Sequence, residues 1–371
     1  MGGHDVYVRR VGTDLPDDAF ASNPTLALLR LRGRTPAAIG AVREGACRCV
    51  VDEESDMIER SLLAPPIPFD PKVETVDPGE AETHQALNEV FAGIVTATHE
   101  DLGKAERGVH AKSHALLSGE LRVEDDLWPE LAQGIFATPA RSYPTLIRIS
   151  SIAGDPLPDQ VQLPRGVALK IFGVDGERLP DAEGDVTQDF LFANGPAFGI
   201  SDAKSFLSQL KLLETTTDRV EWAKKALSGV LGPVEKFLET LGTGSTTLMK
   251  LGGYPRRHPL GDRYYTQVPI RFGDYVAKLD LVPASPGFEA LAGVELDYAG
   301  RANALREEVD RTIRGEGGAF SLRAQLRRNA ETDPVEDASV AWPEDDNPYL
   351  PVATLTIPAQ PGWTAARSRR V

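Results

Sequence analysis

A series of short apolar runs, each cut off by Gly, Pro or Asp, restricts this chain more than any other feature. Residues 145–150, 167–172 and 189–193 come first; 264–270, 275–282, 321–326 and 352–357 follow later. Runs of this length and punctuation are β-strands. Between the two sets lies a helical block. Asp202 can cap a helix carrying Phe206, Leu207, Leu210 and Leu213, and Asp218 another carrying Val220, Ala223, Leu227 and Val230. Upstream, residues 80–102 place Leu87, Val90, Phe91, Ile94 and Val95 on one helical stripe that closes at Gly103. Strands, a helical insertion and more strands specify an α+β chain on an antiparallel sheet, not an alternating βαβ fold.

The 371 residues allow one large domain or two, since domains average about 150 residues. A net charge of −15 and a pI near 5.0 repel polyanions, which argues against a nucleic-acid or anionic-membrane binder. No apolar run approaches the roughly 18–20 residues of a membrane-spanning helix, and the first ten residues lack a secretory signal. A cytoplasmic location is expected. Cys47 and Cys49 form a lone C-x-C, read as two free thiols.

Residues 1–56 stand apart. They contain seven arginines and no lysine, and their helical period appears only in fragments. They are expected to be a weakly ordered extension ahead of one domain, 57–371. Gly242-Thr-Gly244 and Gly315-Glu-Gly-Gly318 lack phosphate-cradling spacing, and no nucleophile elbow or Walker sequence occurs. His110 and His114 have the spacing of two metal ligands on a helix but no recognisable third partner.

More telling are polar residues set in apolar strand context. Arg107-Gly-Val109-His110-Ala-Lys112 is followed by Arg148-Ile-Ser150, then Pro164-Arg165-Gly166-Val-Ala-Leu-Lys170, then Asn194-Gly-Pro196-Ala-Phe198. Burying such groups costs free energy unless each finds a partner. Four such segments within some ninety residues point to a site.

These segments, in this order, resemble the heme catalases, and most of all the smaller catalase-related peroxidases. Trp342-Pro-Glu344 and the strand after it resemble the segment that closes the catalase barrel. The resemblance implies an antiparallel eight-stranded β-barrel with flanking α-helices, its interior filled by side chains and heme b held on one side. His110 resembles the distal histidine that takes a proton from peroxide and returns it, a task suited to an imidazole. Asn194 resembles the asparagine that holds the second peroxide oxygen, and Ser150 the serine that orients the histidine. Arg107 and Arg148 resemble residues that meet the heme propionates. Val109, Phe198 and Phe206 would wall the heme.

The family's iron is held by a tyrosinate on a C-terminal helix. No tyrosine follows Tyr349 here, so no axial ligand is named and the chain is expected to be truncated before that helix. The implied activity is heme-dependent decomposition or peroxidatic use of hydrogen peroxide, with a small organic electron donor as a second partner. Two alternatives stand beside it: a fatty-acid or other organic hydroperoxide-converting enzyme, and a heme-free barrel that binds a ligand or partner. The resemblance also implies a homodimer or homotetramer joined through N-terminal arms.

Overall fold

The computed structural model describes residues 63–103, 107–154, 156–178, 182–216 and 255–368. The extension 1–56, Cys47 and Cys49, the helix capped by Asp218 and the Gly242–Gly244 turn lie outside the described residues. One compact unit spans Pro65–Ser368; the other, Met1–Ala64 with Arg369–Val371, falls almost wholly outside the described residues.

The nine strands are β1 (Ser113–Val123), β2 (Ser142–Ser151), β3 (Arg165–Phe172), β4 (Thr187–Ala193), β5 (Tyr264–Tyr265), β6 (Ile270–Phe272), β7 (Tyr275–Pro283), β8 (Gly318–Leu326) and β9 (Leu350–Ile357). They form one antiparallel sheet in the order β5-β4-β3-β2-β1-β9-β8-β7-β6. The two-residue strand β5 pairs with β4 on one side and with β7 on the other. That double pairing closes eight strands into a barrel and leaves β6 as a hairpin partner of β7. Closure removes exposed sheet edges, which would otherwise invite association.

Alternation along the strands decides what lies inside. In β2, Tyr143, Thr145, Ile147 and Ile149 are buried, while the residues between them alternate toward the outer face up to Arg148. Leu117, Leu169, Leu279, Leu322 and Leu355 meet Ile147 and Ile149 in the barrel, each essentially inaccessible. Burying a side chain of this size contributes about 1.5–3 kcal/mol, so the interior is a packed core.

Among the described residues, five α-helical segments flank the barrel: α1 (Glu80–Leu102), α2 (Ala203–Thr216), α3 (Pro286–Glu289), α4 (Ala304–Gly315) and α5 (Ala365–Ser368). The expected stripe of α1 packs as read, with Leu87 and Val90 buried against Ile200, Phe206, Leu207 and Leu210 of the α2 region. Gly103 ends α1 in the left-handed region, φ 68°. Asp202 caps α2 by accepting the Ser205 N–H at 2.7 Å; the side chain of Leu213 lies outside the described residues.

The expected strand 264–270 is divided. Gln267 adopts φ 53°, breaking the ladder between β5 and β6. Besides the one-turn helices α3 and α5, two longer elements escaped the sequence reading. One is β1, whose small and polar residues mask its alternation, and the other is α4, whose buried face of Ala304, Leu305, Glu308, Val309 and Ile313 includes a charged residue and a small one. No helix among the described residues is long and apolar enough to cross a membrane.

Candidate functional site

The site begins where the chain, after α1, reaches the end of β2. His110 N–H donates to Ile152 O at 2.9 Å and Ala111 N–H to Ala153 O at 3.0 Å, extending the pairing past the strand. His110 has φ 53°, a left-handed conformation costly for a residue with a Cβ. Arg148 stabilises it. Its Nη2 donates to His110 O at 2.6 Å and lies 3.3 Å from Ala111 O.

That backbone turn lays the imidazole on Gly166. A Cβ at position 166 would stand 2.6 Å from His110 Cε1, so only glycine leaves room for the ring. Ser150 Oγ lies 3.1 Å from His110 Nδ1 and fixes the ring's rotation. The register explains the convergence: Ser150 pairs with Ser113 and Gly166, and Gly166 pairs with Ala193. Four strands thus contribute a row of small residues, a flat floor beside the histidine. Burial first, then the charges of Arg148 and Arg107, lower the His110 pKa to about 4. The imidazole is therefore uncharged at neutral pH.

Apolar cover comes from the α1–α2 layer. Phe198 and Phe206 meet edge to face at 5.3 Å between ring centroids. Phe198 joins Phe91, Ile94 and Ile152, the last adjoining the His110 backbone, in one cluster. Gly108 admits Phe91 at close range, and Gly154 admits Ile94 and the Gly108 carbonyl. Arg107 and Val109 are half-buried in the same segment.

Asn194 directly follows β4. Its Oδ1 accepts the Arg165 backbone N–H at 2.8 Å, and its Nδ2 lies 3.4 Å from Asp262 Oδ2. Arg165 is buried and binds Asp262 through Nε, at 3.0 Å, and Nη2. The Asn194 amide thus ties β3 to β4 and to this ion pair, while the Arg148 guanidinium clasps backbone carbonyls.

The helix spacing of His110 and His114 has no counterpart in the structure. The two do not share a helix. His114 sits at an irregularity in β1 between Ser113 and Ala115, is 0% exposed, and places Nε2 2.7 Å from Ser151 Oγ. Successive strand residues face opposite ways, so Ser150 and Ser151 hold their histidines on opposite sides of the wall. Beside His114, Lys112 Nζ lies 2.5 Å from Asp159 Oδ1 and donates to Leu157 O at 2.7 Å and Ala302 O at 2.6 Å. Sequence reasoning missed this inner cluster and the task of Gly166. The signal was available in Lys112-Ser113-His114, a polar triplet between Ala111 and Ala115.

Among the described residues, no group of three or more His, Cys, Asp or Glu could hold a metal ion. Four of the six described tyrosines have contacts of their own: Tyr143 OH donates to Ile135 O, Tyr264 OH to Pro259 O, and Tyr265 and Tyr349 meet edge to face beside Arg263. The residues present therefore fit one face of a heme, with an uncharged histidine over a flat floor. No described residue is assigned to the other face.

No protein-family model matches the chain, and no curated protein matches it. Solved structures do. A fungal catalase shares 18% identity over 72% of this chain and 52% of its own, with a TM-score of 0.48. Catalase A from Saccharomyces cerevisiae shares 14% identity over 81% of this chain and 58% of its own, TM-score 0.47. A bacterial catalase shares 16% identity over 89% of this chain and 59% of its own, TM-score 0.47. The chain spans a little over half the length of each. It is similar in fold to fungal and bacterial catalases.

Proposed function

We propose that this chain is a catalase-type oxidoreductase acting on a peroxide, with His110 as the residue that takes and returns the proton. One observation carries the reading: an uncharged imidazole seated on Gly166 and held by Ser150. Nδ1 is occupied by Ser150, and no hydrogen bond among the described residues engages Nε2. Nε2 is then the nitrogen that accepts a hydroperoxide proton and gives it back to the departing oxygen. The lowered pKa favours rapid return, because the imidazolium is a strong acid in this setting. Ser150 keeps the ring aimed through both transfers, and the Phe91, Ile152 and Phe198 cluster limits water beside it. Heme, when bound, supplies the redox chemistry, with His110, Ser150 and the small-residue floor on one face.

The test combines colour and turnover. Purified protein supplied with heme should show a Soret band and decompose hydrogen peroxide. His110→Ala should keep the band and lose turnover. Turnover at the unchanged rate in His110→Ala would overturn the reading.

A second reading, a heme-free barrel that binds a ligand or partner, rests on different contacts. Asn194 and Arg148 direct polar groups to partners inside the protein. Protein that stays colourless in excess heme would favour it.

A further inference from the structure

Behind the wall that carries His110, a small polar cavity opens beside β2 and β3. Ser151, Asp159, Arg165 and Tyr298 bring polar groups to it, and Val161 and Leu305 close its sides. All four polar residues are buried, Tyr298 to 2% exposure. Tyr298 Oη is inaccessible and makes no hydrogen bond. A buried phenol in this state costs stability unless something solvates it.

The free space, about 10 Å³ for the centre of a water-sized sphere, is close to the ~10–15 Å³ that one water needs. The rim offers donors and acceptors. Asp159 Oδ1 faces Lys112 Nζ and Oδ2 accepts the Leu305 N–H at 2.8 Å, and each carboxylate oxygen can accept again. Arg165 commits Nε and Nη2 to Asp262, and a guanidinium carries five N–H hydrogens. An anion here would face Asp159, and a cation would face Arg165 and Lys112. A neutral molecule that both donates and accepts meets neither repulsion.

We propose that an ordered water molecule occupies this cavity, binds Tyr298 Oη and bridges it to the Asp159 and Arg165 ion pairs. Water in such sites makes about three hydrogen bonds, which these groups supply. The bridge stands directly behind the histidine floor, because Ser151–Arg165 is the register pair next to Ser150–Gly166.

A crystal structure at high resolution, paired with thermal unfolding of Tyr298→Phe, tests this. The expected result is a density peak about 2.6–3.2 Å from Tyr298 Oη and within the same reach of Asp159 or Arg165. Tyr298→Phe, which keeps the ring and deletes only the hydroxyl, should then lower Tm by about 2 °C or more. A cavity without density, a peak that refines as an ion, or a Tyr298→Phe Tm equal to or above that of the unaltered chain overturns the proposal. An unsolvated phenol gives the last result, because its removal relieves the fold.

Discussion

Two histidine–serine pairs stand back to back across one strand wall, His110 with Ser150 outside and His114 with Ser151 inside. Their chemistry on paper is the same and their settings are opposite. His110 is half-buried, strained at φ 53° and lodged on a glycine. His114 is sealed, and burial followed by the charge of Lys112 lowers its pKa well below the ordinary histidine value. Each ring has one nitrogen on its serine, but the second nitrogen of His110 lies in a half-buried segment, while Nδ1 of His114 is sealed without a hydrogen bond, 4.0 Å from Asp159 Oδ1. Strand alternation alone separates a candidate catalyst from a structural group, although only four positions divide the two histidines.

Substitutions on the two sides should therefore fail in different ways. The largest loss of stability is expected from Lys112→Met, which leaves Asp159 buried without its cation at a cost of about 3–5 kcal/mol. Urea unfolding measures it; a loss below ~1 kcal/mol would mean that the inner pair is not the stabilising one. Gly166→Ala strikes the outer side. Its methyl must displace the His110 ring, costing about 1–3 kcal/mol and at least ~10-fold in peroxide turnover. Unchanged turnover in Gly166→Ala would show that the His110 ring does not depend on the glycine floor.

The adjacent serines sharpen the contrast further. Ser151→Ala takes the partner from Nε2 of the fully buried His114, whose Nδ1 already has none, a stability cost of about 1–3 kcal/mol by calorimetry. Ser150→Ala frees a half-buried ring instead. It should cost under ~1 kcal/mol of stability while lowering turnover about 10-fold through misorientation. Equal stability losses at the two serines would erase the distinction.

The smallest effect is expected from pH near neutrality. His110 titrates at about 4 in the folded chain, as does His258, which burial and then the charge of Arg311 depress. Unfolded imidazoles titrate near ~6.5. Each group thus contributes stability that is complete above pH ~6.5 and lost as pH falls toward 4, because the unfolded chain binds the extra protons. Turnover should be level from pH ~5.5 to ~7.5 and fall toward pH 4; a sigmoidal rise centred on pH ~6.5 would contradict the lowered His110 value.

Much of the barrel was readable because its strands advertise themselves. Residues 167–172 became β3 with its apolar members inside, and the stripe of α1 packed as drawn. β1 was not readable, because Ser113, His114, Ser118 and Gly119 interrupt its apolar pattern and its register shift moves a polar residue inward. Similarly, Gln267 shortened a long apparent strand by a single left-handed residue. At the site, His110 and Ser150 were found from their types and order, and they do touch. The amide of Asn194 and the guanidinium of Arg148 were legible as buried polar groups, but not their partners. Those partners, Asp262 and the carbonyls of residues 110 and 111, come together only through barrel closure and a strained turn.

The sequence by itself determined the periodicities, and with them the strands, the helix ahead of them, the acidic surface and the polar segments worth examining. Periodicity is local, so one chain segment suffices to express it. The tertiary structure decided which side of the wall each histidine occupies, which arginine holds a carboxylate and which a backbone, and why position 166 must be glycine. These depend on register between strands distant in sequence, where a shift of one residue moves a side chain from the packed interior to the open face.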